Sequence, residues 1–286
     1  MNAEKTPILS AVAVIMLSGI MLSGCTATID QSSFFPSAKL QAPDAKLSVP
    51  VGYVASNAML DLPQLGIVRA VFLDNPNSDA TIIYSAGNGG FVDSVGTSKA
   101  ADNLAAASGA DIILYDYPGR GGTTIPATIP AAIAVGPQLV ERFKALGWLG
   151  KGPSYAYGFS FGGSMAAAMA RVGGFSGLII EGSASDYEKI GRDFVPGIAK
   201  PFVKLKVSQD LKMFDYFGYA LAAKAPILLL SGIDDQTIRQ EHMRSFGNQL
   251  SAQGAKVTFQ STPGGHGAAL GSLEGQAALR SFVAAK

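Results

Sequence analysis

The sequence contains very little cysteine and histidine. Its 286 residues include one cysteine and two histidines. A lone cysteine excludes a disulfide within the chain. One cysteine and two isolated histidines also fall short of the usual zinc ligand sets, so we expect no metal site. The glycine-rich residues 87–90 lack the G-x-G-x-x-G spacing, so we expect no dinucleotide cofactor either.

An excess of either charge is also absent. Lysine and arginine total 22 against 21 aspartate and glutamate, which leaves a net charge of +1. A nearly neutral chain gives no electrostatic reason to bind nucleic acid, and we expect none as a partner. Hydrophobic residues make up 48% of the chain and charged residues 15%. This composition is typical of a chain with a substantial core, and one large α/β domain is the simplest organisation.

The N-terminus carries an apolar run that is short for a membrane span. The run covers residues 8–22 after a weakly basic start at Lys5, whereas a spanning helix needs roughly 20 apolar residues. Residues 22–25 read Leu-Ser-Gly-Cys and resemble the lipobox of bacterial lipoproteins. In those proteins the cysteine becomes the lipidated first residue of the mature chain. The alternatives are an uncleaved anchor helix and a cysteine that follows a signal peptide by chance.

The lipobox resemblance implies a signal peptide over residues 1–24 and acylation of Cys25, for example by palmitate. The protein would then be anchored to a membrane of the bacterial cell envelope. The residue after the cysteine is Thr26 rather than aspartate, and this implies retention at the outer membrane, facing the periplasm. Residues 25–50 lack sustained periodicity and contain several prolines, so we expect a lipid-anchored tether there and a folded domain over residues 51–286.

From Gly66 onward, short apolar runs alternate with longer alanine-rich segments. This alternation is typical of strands and helices in a largely parallel sheet. Strands are predicted over 67–73, 81–85, 112–115, 155–157, 178–181, 227–231 and 257–260. Helices are predicted over 94–108, 130–146, 163–172, 239–253 and 271–285. The turn-forming residues 74–79 predict a hairpin between the first two strands.

Residues 186–225 interrupt this alternation. The segment is rich in aromatic side chains and mixed in charge. It is expected to form either a small lid over the site or an ordinary connecting helix packed on the sheet.

Residues 158–162 read Gly-Phe-Ser-Phe-Gly and match the G-x-S-x-G pattern between a predicted strand and a predicted helix. A serine on such a sharp turn has a strained backbone, and Gly158 and Gly162 are expected because side chains there would collide. The turn also carries the hydroxyl of Ser160 to a helix N-terminus, where a developing oxyanion is stabilised. Ser160 is therefore the candidate nucleophile.

A serine hydroxyl needs a base, and only two histidines exist. His266 lies in the glycine-rich loop 263–267, directly after the last predicted strand. His242 lies on what reads as the exposed face of a helix. A loop at a strand end can bring an imidazole over the sheet edge, so His266 is the candidate base.

The orienting acid is expected on a loop after a strand that lies between Ser160 and this histidine in the chain. Residues 227–235 end in two carboxylates, Asp234 and Asp235, and both are candidates. The glycine-rich loop 85–91 follows an earlier strand and could supply a second oxyanion donor. The backbone N–H groups of Asn88 and Phe161 are the expected pair.

Four stretches, in order along the chain, resemble members of the α/β-hydrolase superfamily. Residues 81–90 resemble the strand and oxyanion loop of relatives that read His-Gly-Asn, and residues 111–121 resemble the next strand with its Asp-x-x-Gly-x-Gly turn. Residues 231–235 are similar to a His-Gly-x-x-Asp element, and residues 263–266 look like the histidine loop. The resemblance extends from about Gly66 to the C-terminus.

This resemblance implies an α/β-hydrolase fold, with a mostly parallel central sheet flanked by helices. It also selects Asp235, the last residue of its element, as the acid. Two positions depart from the family pattern, because Ala86 and Ser231 stand where many relatives carry histidine. Neither belongs to the expected triad, but both bear on the support of the oxyanion loop.

The combined expectation is a serine hydrolase that cleaves esters or thioesters through an acyl-enzyme. Its partner would be a small-molecule acyl substrate, and no cofactor is expected. Two alternatives stay open. One is a peptidase or amidase of the same fold, and the other is a noncatalytic envelope lipoprotein that uses the fold for binding.

Overall fold

The computed structural model describes residues 26–35, 45–150 and 152–284. Over these residues the strands are β1 (Thr26–Ile29), β2 (Val54–Leu62), β3 (Gly66–Asp74), β4 (Thr81–Ser85), β5 (Asp111–Tyr115), β6 (Ser154–Phe159), β7 (Gly177–Glu181), β8 (Lys204–Val207), β9 (Ile227–Gly232) and β10 (Val257–Thr262). The α-helices are α1 (Val95–Ser108), α2 (Ile129–Ala145), α3 (Phe161–Ala170), α4 (Tyr187–Asp193), α5 (Gln209–Lys212), α6 (Tyr216–Ala222), α7 (Gln240–Ala252) and α8 (Leu273–Ala284).

Eight of these strands form one sheet, in the order β10-β9-β7-β6-β4-β5-β3-β2. Neighbours from β10 to β5 run parallel, whereas β3 and β2 complete the sheet with antiparallel pairings. The carboxyl ends of β4, β6, β7, β9 and β10 therefore meet at one edge of the sheet. In open α/β sheets this is the edge at which ligands bind.

The central strands are buried along their whole length and mostly apolar. Every residue of β4, β5, β7 and β9 is buried. Strands read this way when helices cover both faces of a sheet. Here α1 and α8 contribute to the core on one face, and α2, α3, α6 and α7 contribute to the core on the other. This arrangement confirms the mostly parallel sheet flanked by helices.

The first helix shows how local sequence sets the element ends. Ser94 caps α1, because its side chain accepts a hydrogen bond from the backbone N–H of Thr97. Gly109 ends the helix in the left-handed region with φ 63°, and its N–H donates to the carbonyl of Ala105. The predicted helix boundaries over 94–108 lie within one residue of this element.

The predicted hairpin between residues 67–73 and 81–85 is wrong. Strand β3 pairs with β2 and β5, both antiparallel, while β4 lies between β5 and β6 and runs parallel to both. The turn residues instead tie to the start of β5, since the backbone N–H of Asn75 donates to Asp111. The true partner, β2, escaped prediction because most of its residues are exposed at the edge of the sheet.

Residues 26–35, expected to be part of a tether, are ordered and packed on the domain. We call them the N-terminal strap. Strand β1 pairs in parallel with β8, and the backbone N–H of Ser208 donates to Ile29. A short 3-10 turn (Gln31–Ser33) follows, and Phe35 is buried. Cys25 and the predicted signal peptide lie outside the described residues.

Residues 186–225 combine the two expectations for that segment. Helix α6 packs on α3 as an ordinary connecting helix does. Helix α4 and strand β8 instead contribute side chains to a cavity that also includes Ser160. Within the part of the chain that the structure describes, no helix has the length and apolar character needed to cross a membrane.

Candidate active site

Ser160 occupies the sharp turn between β6 and α3. Its backbone has φ 53° and ψ −125°, a conformation that costs a non-glycine residue of order 1–3 kcal/mol. Two backbone hydrogen bonds hold it there: the N–H of Ser160 donates to Glu181 over 2.8 Å, and the N–H of Gly163 donates to Ser160 over 2.9 Å. The side chain makes no capping bond to the helix. Its hydroxyl is therefore left for another partner.

The two glycines of the motif permit this turn. A Cβ atom on Gly158 would overlap the backbone of Gly162, and one on Gly162 would overlap the backbone carbonyl of Ser85. The chain thus doubles back in direct backbone contact with β4. The close approach explains the G-x-S-x-G spacing in terms of this structure.

His266 bridges the serine and an aspartate. Its Nε2 lies 3.0 Å from Ser160 Oγ, and its Nδ1 lies 2.8 Å from Asp235 Oδ2. An ionised carboxylate only accepts hydrogen bonds, so Nδ1 must carry the proton that faces Asp235. Nε2 is then free to accept from the serine hydroxyl. The structure places these three residues together, each shortly after the carboxyl end of its strand, β6, β9 or β10.

The structure distinguishes the two adjacent carboxylates. Asp235 is buried, and its second oxygen accepts the backbone N–H groups of Thr237 and Ile238, each over 2.8 Å. Asp234 is exposed, and only its backbone N–H bonds locally, to Gly264. A carboxylate fixed by two amides holds the imidazole in one orientation. Asp235 is the residue placed to do so.

His242 does not lie on an exposed helix face, contrary to expectation. Its side chain is 10% exposed, and its Nε2 lies 2.7 Å from Asp193 Oδ2. With Glu241 these residues offer ligand atoms within 4.8 Å of one another. Arg239 Nε also lies 3.5 Å from the same Asp193 oxygen. Arg239 and His242 thus both contact this carboxylate, so side chains of the protein account for the cluster.

The loop over residues 85–91, the oxyanion loop, passes beside Ser160. A Cβ atom on Gly87 would lie 2.9 Å from the ring of Phe159 and 3.6 Å from Ser160 Cβ. The loop backbone can therefore approach a carbonyl bonded to the serine. Phe161 begins α3, where backbone N–H groups have no partner within the helix. Both expected donor residues, Asn88 and Phe161, thus lie beside Ser160.

The side chain of Asn88 is committed elsewhere. Its Nδ2 donates to the carbonyl of Ser33 over 3.1 Å, and its Oδ1 accepts from Arg120 Nη2 over 2.7 Å. The same Arg120 nitrogen donates to the carbonyl of Phe34 over 2.7 Å. Burial lowers the pKa of Arg120 to about 10. The guanidinium therefore ties the oxyanion loop to the N-terminal strap.

Two cavities open onto Ser160. The small cavity measures about 100 Å³ and is mostly apolar, with Phe161, Tyr187, Ile190 and Phe194 among its lining residues. The large cavity measures about 750 Å³ and is bordered by His266 and by polar side chains of α1 and the 263–272 loop. Asn88 and Ser160 belong to both. A molecule bound at the serine thus has two separate directions in which to extend.

Glu181 is a buried acid at the end of β7 that the sequence analysis did not single out. Its carboxylate accepts from Tyr157 Oη over 2.8 Å and from the backbone N–H of Leu270 over 3.2 Å. Burial raises its pKa, while these hydrogen bonds and the nearby His266 imidazole oppose the shift. In the sequence, Glu181 could have been noticed as a single charged residue at the carboxyl end of an apolar strand, because ligands bind at that edge of such sheets.

Glu181→Gln is expected to change the pH dependence of stability. Because the pKa of Glu181 is raised in the folded state, the wild type loses stability as pH rises from the ordinary carboxyl range through the folded-state pKa. The glutamine variant lacks this loss, so its free energy of unfolding should gain on the wild type as pH rises. Urea unfolding between pH 4 and 8 measures the difference, with the exposed Glu241→Gln as control. A pH-independent difference would contradict the expectation.

Comparison with known proteins places the chain in a family. The model of the alpha/beta hydrolase family matches residues 86–274, more than half of the chain. The chain belongs to the alpha/beta hydrolase family. The fold expected from the sequence is thereby confirmed, and membership in this family supports a hydrolase. No curated protein matches the sequence.

Solved structures of several esterases share the fold at low identity. A Pyrococcus furiosus esterase, Pf2001, is 16% identical with a TM-score of 0.61, covering 85% of this chain and 98% of that one. An esterase from Pyrobaculum calidifontis is 19% identical with a TM-score of 0.55, covering 81% and 83%. A thermostable esterase from Pseudomonas putida is 18% identical with a TM-score of 0.54, covering 84% and 82%.

Proposed function

We propose that this protein hydrolyses carboxylic esters or thioesters of small molecules through an acyl-enzyme on Ser160. The observation that carries the proposal is the position of His266, whose two ring nitrogens lie 3.0 Å from Ser160 Oγ and 2.8 Å from Asp235 Oδ2. A serine bonded to an oriented imidazole is the arrangement that activates a hydroxyl at neutral pH. The esterases that share the fold are consistent with this reaction class.

Acylation follows from this geometry. Ser160 Oγ attacks the carbonyl carbon while its proton passes to His266 Nε2, and Asp235 stabilises the resulting imidazolium. The carbonyl oxygen becomes an oxyanion beside the backbone N–H groups of Asn88 and Phe161. His266 then returns the proton to the leaving oxygen or sulfur as its bond to carbon breaks. The products are the acyl-enzyme and a free alcohol or thiol.

Deacylation repeats these steps with water. His266 Nε2 takes a proton from a water molecule, which attacks the acyl carbon and again forms an oxyanion. Collapse of this intermediate breaks the bond to Ser160 Oγ, and the imidazolium returns its proton to the serine. The acid product leaves, and the serine and histidine regain their starting protonation.

In this proposal the two cavities bind different parts of the substrate. The group that receives a proton from His266 must lie next to the imidazole, and His266 borders the large cavity but not the small one. The alcohol or thiol therefore belongs in the large cavity. The acyl chain extends into the small cavity, which is lined by Phe161 and mostly apolar side chains. Apolar lining suits a hydrocarbon chain.

Active-site labelling tests the proposal. A fluorophosphonate probe should label the wild-type protein covalently, because its phosphorus is attacked by an activated serine. Ser160→Ala should show no labelling, since the nucleophile is removed. The exposed Ser32→Ala provides the matched control and should label like the wild type.

Hydrolysis of p-nitrophenyl butyrate completes this test. Wild type and Ser32→Ala are expected to release p-nitrophenol in proportion to labelling, and Ser160→Ala should release none above buffer. Undiminished labelling of Ser160→Ala would refute Ser160 as the nucleophile. A labelled wild type that cleaves aminoacyl p-nitroanilides but no ester would overturn the ester assignment in favour of amide substrates.

A further inference from the structure

The N-terminal strap forms one wall of the small cavity. Strand β1 contributes Ala27, Thr28 and Ile29, and the turn that follows contributes Ser33 and Phe34. Further lining comes from α4, from β8, which pairs with β1, and from the start of α3. The pocket beside Ser160 is therefore lined in part by a segment that lies more than 120 residues before Ser160 in the chain.

Phe34 contacts two other parts of the cavity lining. Its ring stacks on Phe161 with centroids 5.0 Å apart and an interplanar angle of 27°. It also meets the edge of Tyr187 at 5.5 Å, with an angle of 62°. These are favourable geometries for aromatic pairs. The ring thus connects the strap to the residue after the nucleophile and to α4.

The strap is held by directed polar bonds as well as by packing. Asn88 donates to the carbonyl of Ser33, and Arg120 donates to the carbonyl of Phe34. The backbone N–H of Ile129 donates to Gln31 Oε1 over 3.4 Å. These bonds join the strap to the oxyanion loop, to the turn after β5 and to α2. Because these hydrogen bonds fix the strap at three places, the strap is a structured part of the cavity lining.

The size of the small cavity limits its occupant. It measures about 100 Å³, whereas a cavity of about 150 Å³ accepts a benzene ring with its six carbons. By this comparison it accommodates about four carbon atoms. A longer chain would have to displace Phe34 or Ile29, which are held by the contacts described above.

We propose that the N-terminal strap sets the acyl specificity of this enzyme, restricting it to short acyl groups from acetyl to about butyryl, and that Phe34 is the main determinant. The inference rests on the proposed function, because the acyl chain is assigned to the small cavity. The strap acts by volume: its side chains occupy the space that further methylene groups of the substrate would need.

The test compares kcat/KM for p-nitrophenyl esters from acetyl to dodecanoyl. The wild type should prefer acetyl to butyryl esters over octanoyl and longer ones. Phe34→Ala should raise the ratio of hexanoyl to butyryl kcat/KM by roughly 15-fold, because each of the two newly buried methylene groups contributes about a factor of four. Ile29→Ala, which widens the same cavity from β1, should shift the ratio in the same direction.

The control variant is Phe35→Leu. Phe35 is buried against Phe161 at 5.4 Å but does not border the small cavity. It should leave the chain-length ratio unchanged even if it lowers stability, which separates loss of strap packing from widening of the cavity. Phe34→Leu provides a milder change that should fold and give a smaller shift in the same direction.

Two outcomes would overturn the inference while leaving the proposed function standing. One is a wild type that depends on Ser160 yet prefers octanoyl or longer esters. The other is an unchanged chain-length ratio in folded Phe34→Ala and Ile29→Ala. Failure of the proposed function gives a different result, namely no Ser160-dependent cleavage of any ester in the series.

Discussion

Replacing His266 by alanine is expected to lower kcat for ester hydrolysis by roughly 10⁶-fold, as for the general base of a serine hydrolase. The imidazole lies 3.0 Å from Ser160 Oγ and is the group placed to take its proton. Without it the hydroxyl must lose its proton to water, and the leaving group must depart unprotonated. Residual activity should come from substrate binding and from the oxyanion donors alone. Steady-state kinetics on p-nitrophenyl butyrate measure the loss.

The matched control is His242→Ala. This variant removes the second histidine, which is hydrogen-bonded to Asp193 rather than to Ser160. It should retain wild-type kcat/KM, although loss of this hydrogen bond is expected to reduce the free energy of unfolding. A large loss of activity in folded His242→Ala, with little change in His266→Ala, would reverse the assignment of the base.

Asp235→Asn is expected to lower kcat by about 10⁴-fold. An asparagine can present its amide N–H to His266 Nδ1, which favours the ring tautomer whose proton lies on Nε2. In that tautomer Nε2 cannot accept the serine proton. The backbone N–H groups of Thr237 and Ile238 can still bond to the asparagine carbonyl, so the fold around the site should be kept. Kinetics together with an unchanged circular dichroism spectrum test this.

Asp234→Asn is the corresponding control. The two positions are adjacent, but Asp234 is exposed, whereas the buried Asp235 bonds to His266. Wild-type activity is expected. Equal losses in both variants would mean that the negative charge of the loop, rather than the Asp235–His266 hydrogen bond, supports the reaction.

Sequence reasoning identified the elements whose burial is nearly complete. Strands β4, β7 and β9 are continuous apolar runs, so their positions were predicted to within about one residue. Edge strand β2 was missed because its side chains are mostly exposed and give no such run. The hairpin error has the same origin: turn residues show that a chain reverses or redirects, but they do not show which strand becomes its neighbour.

Candidate site residues could be singled out from the sequence where the chemistry needs a residue type that is rare in this chain. With two histidines in the chain, the position of His266 after the last strand was enough to single it out. The choice between Asp234 and Asp235 needed family spacing, since adjacent carboxylates on a loop look alike in sequence. The roles of Glu181 and the strap depend on contacts between distant parts of the chain. Arg120 and Phe34, for example, are 86 residues apart.

Because the strap lies near the N-terminus, the residue at which a shortened version begins decides whether the small cavity keeps its full lining. A version that begins at residue 45 would keep Ser160, Asp235 and His266, and so retain the means of hydrolysis. It would lack β1 and Phe34, and the small cavity would be open to solvent on that side. Acyl preferences measured on such a truncated protein would describe a different pocket from that of the longer chain.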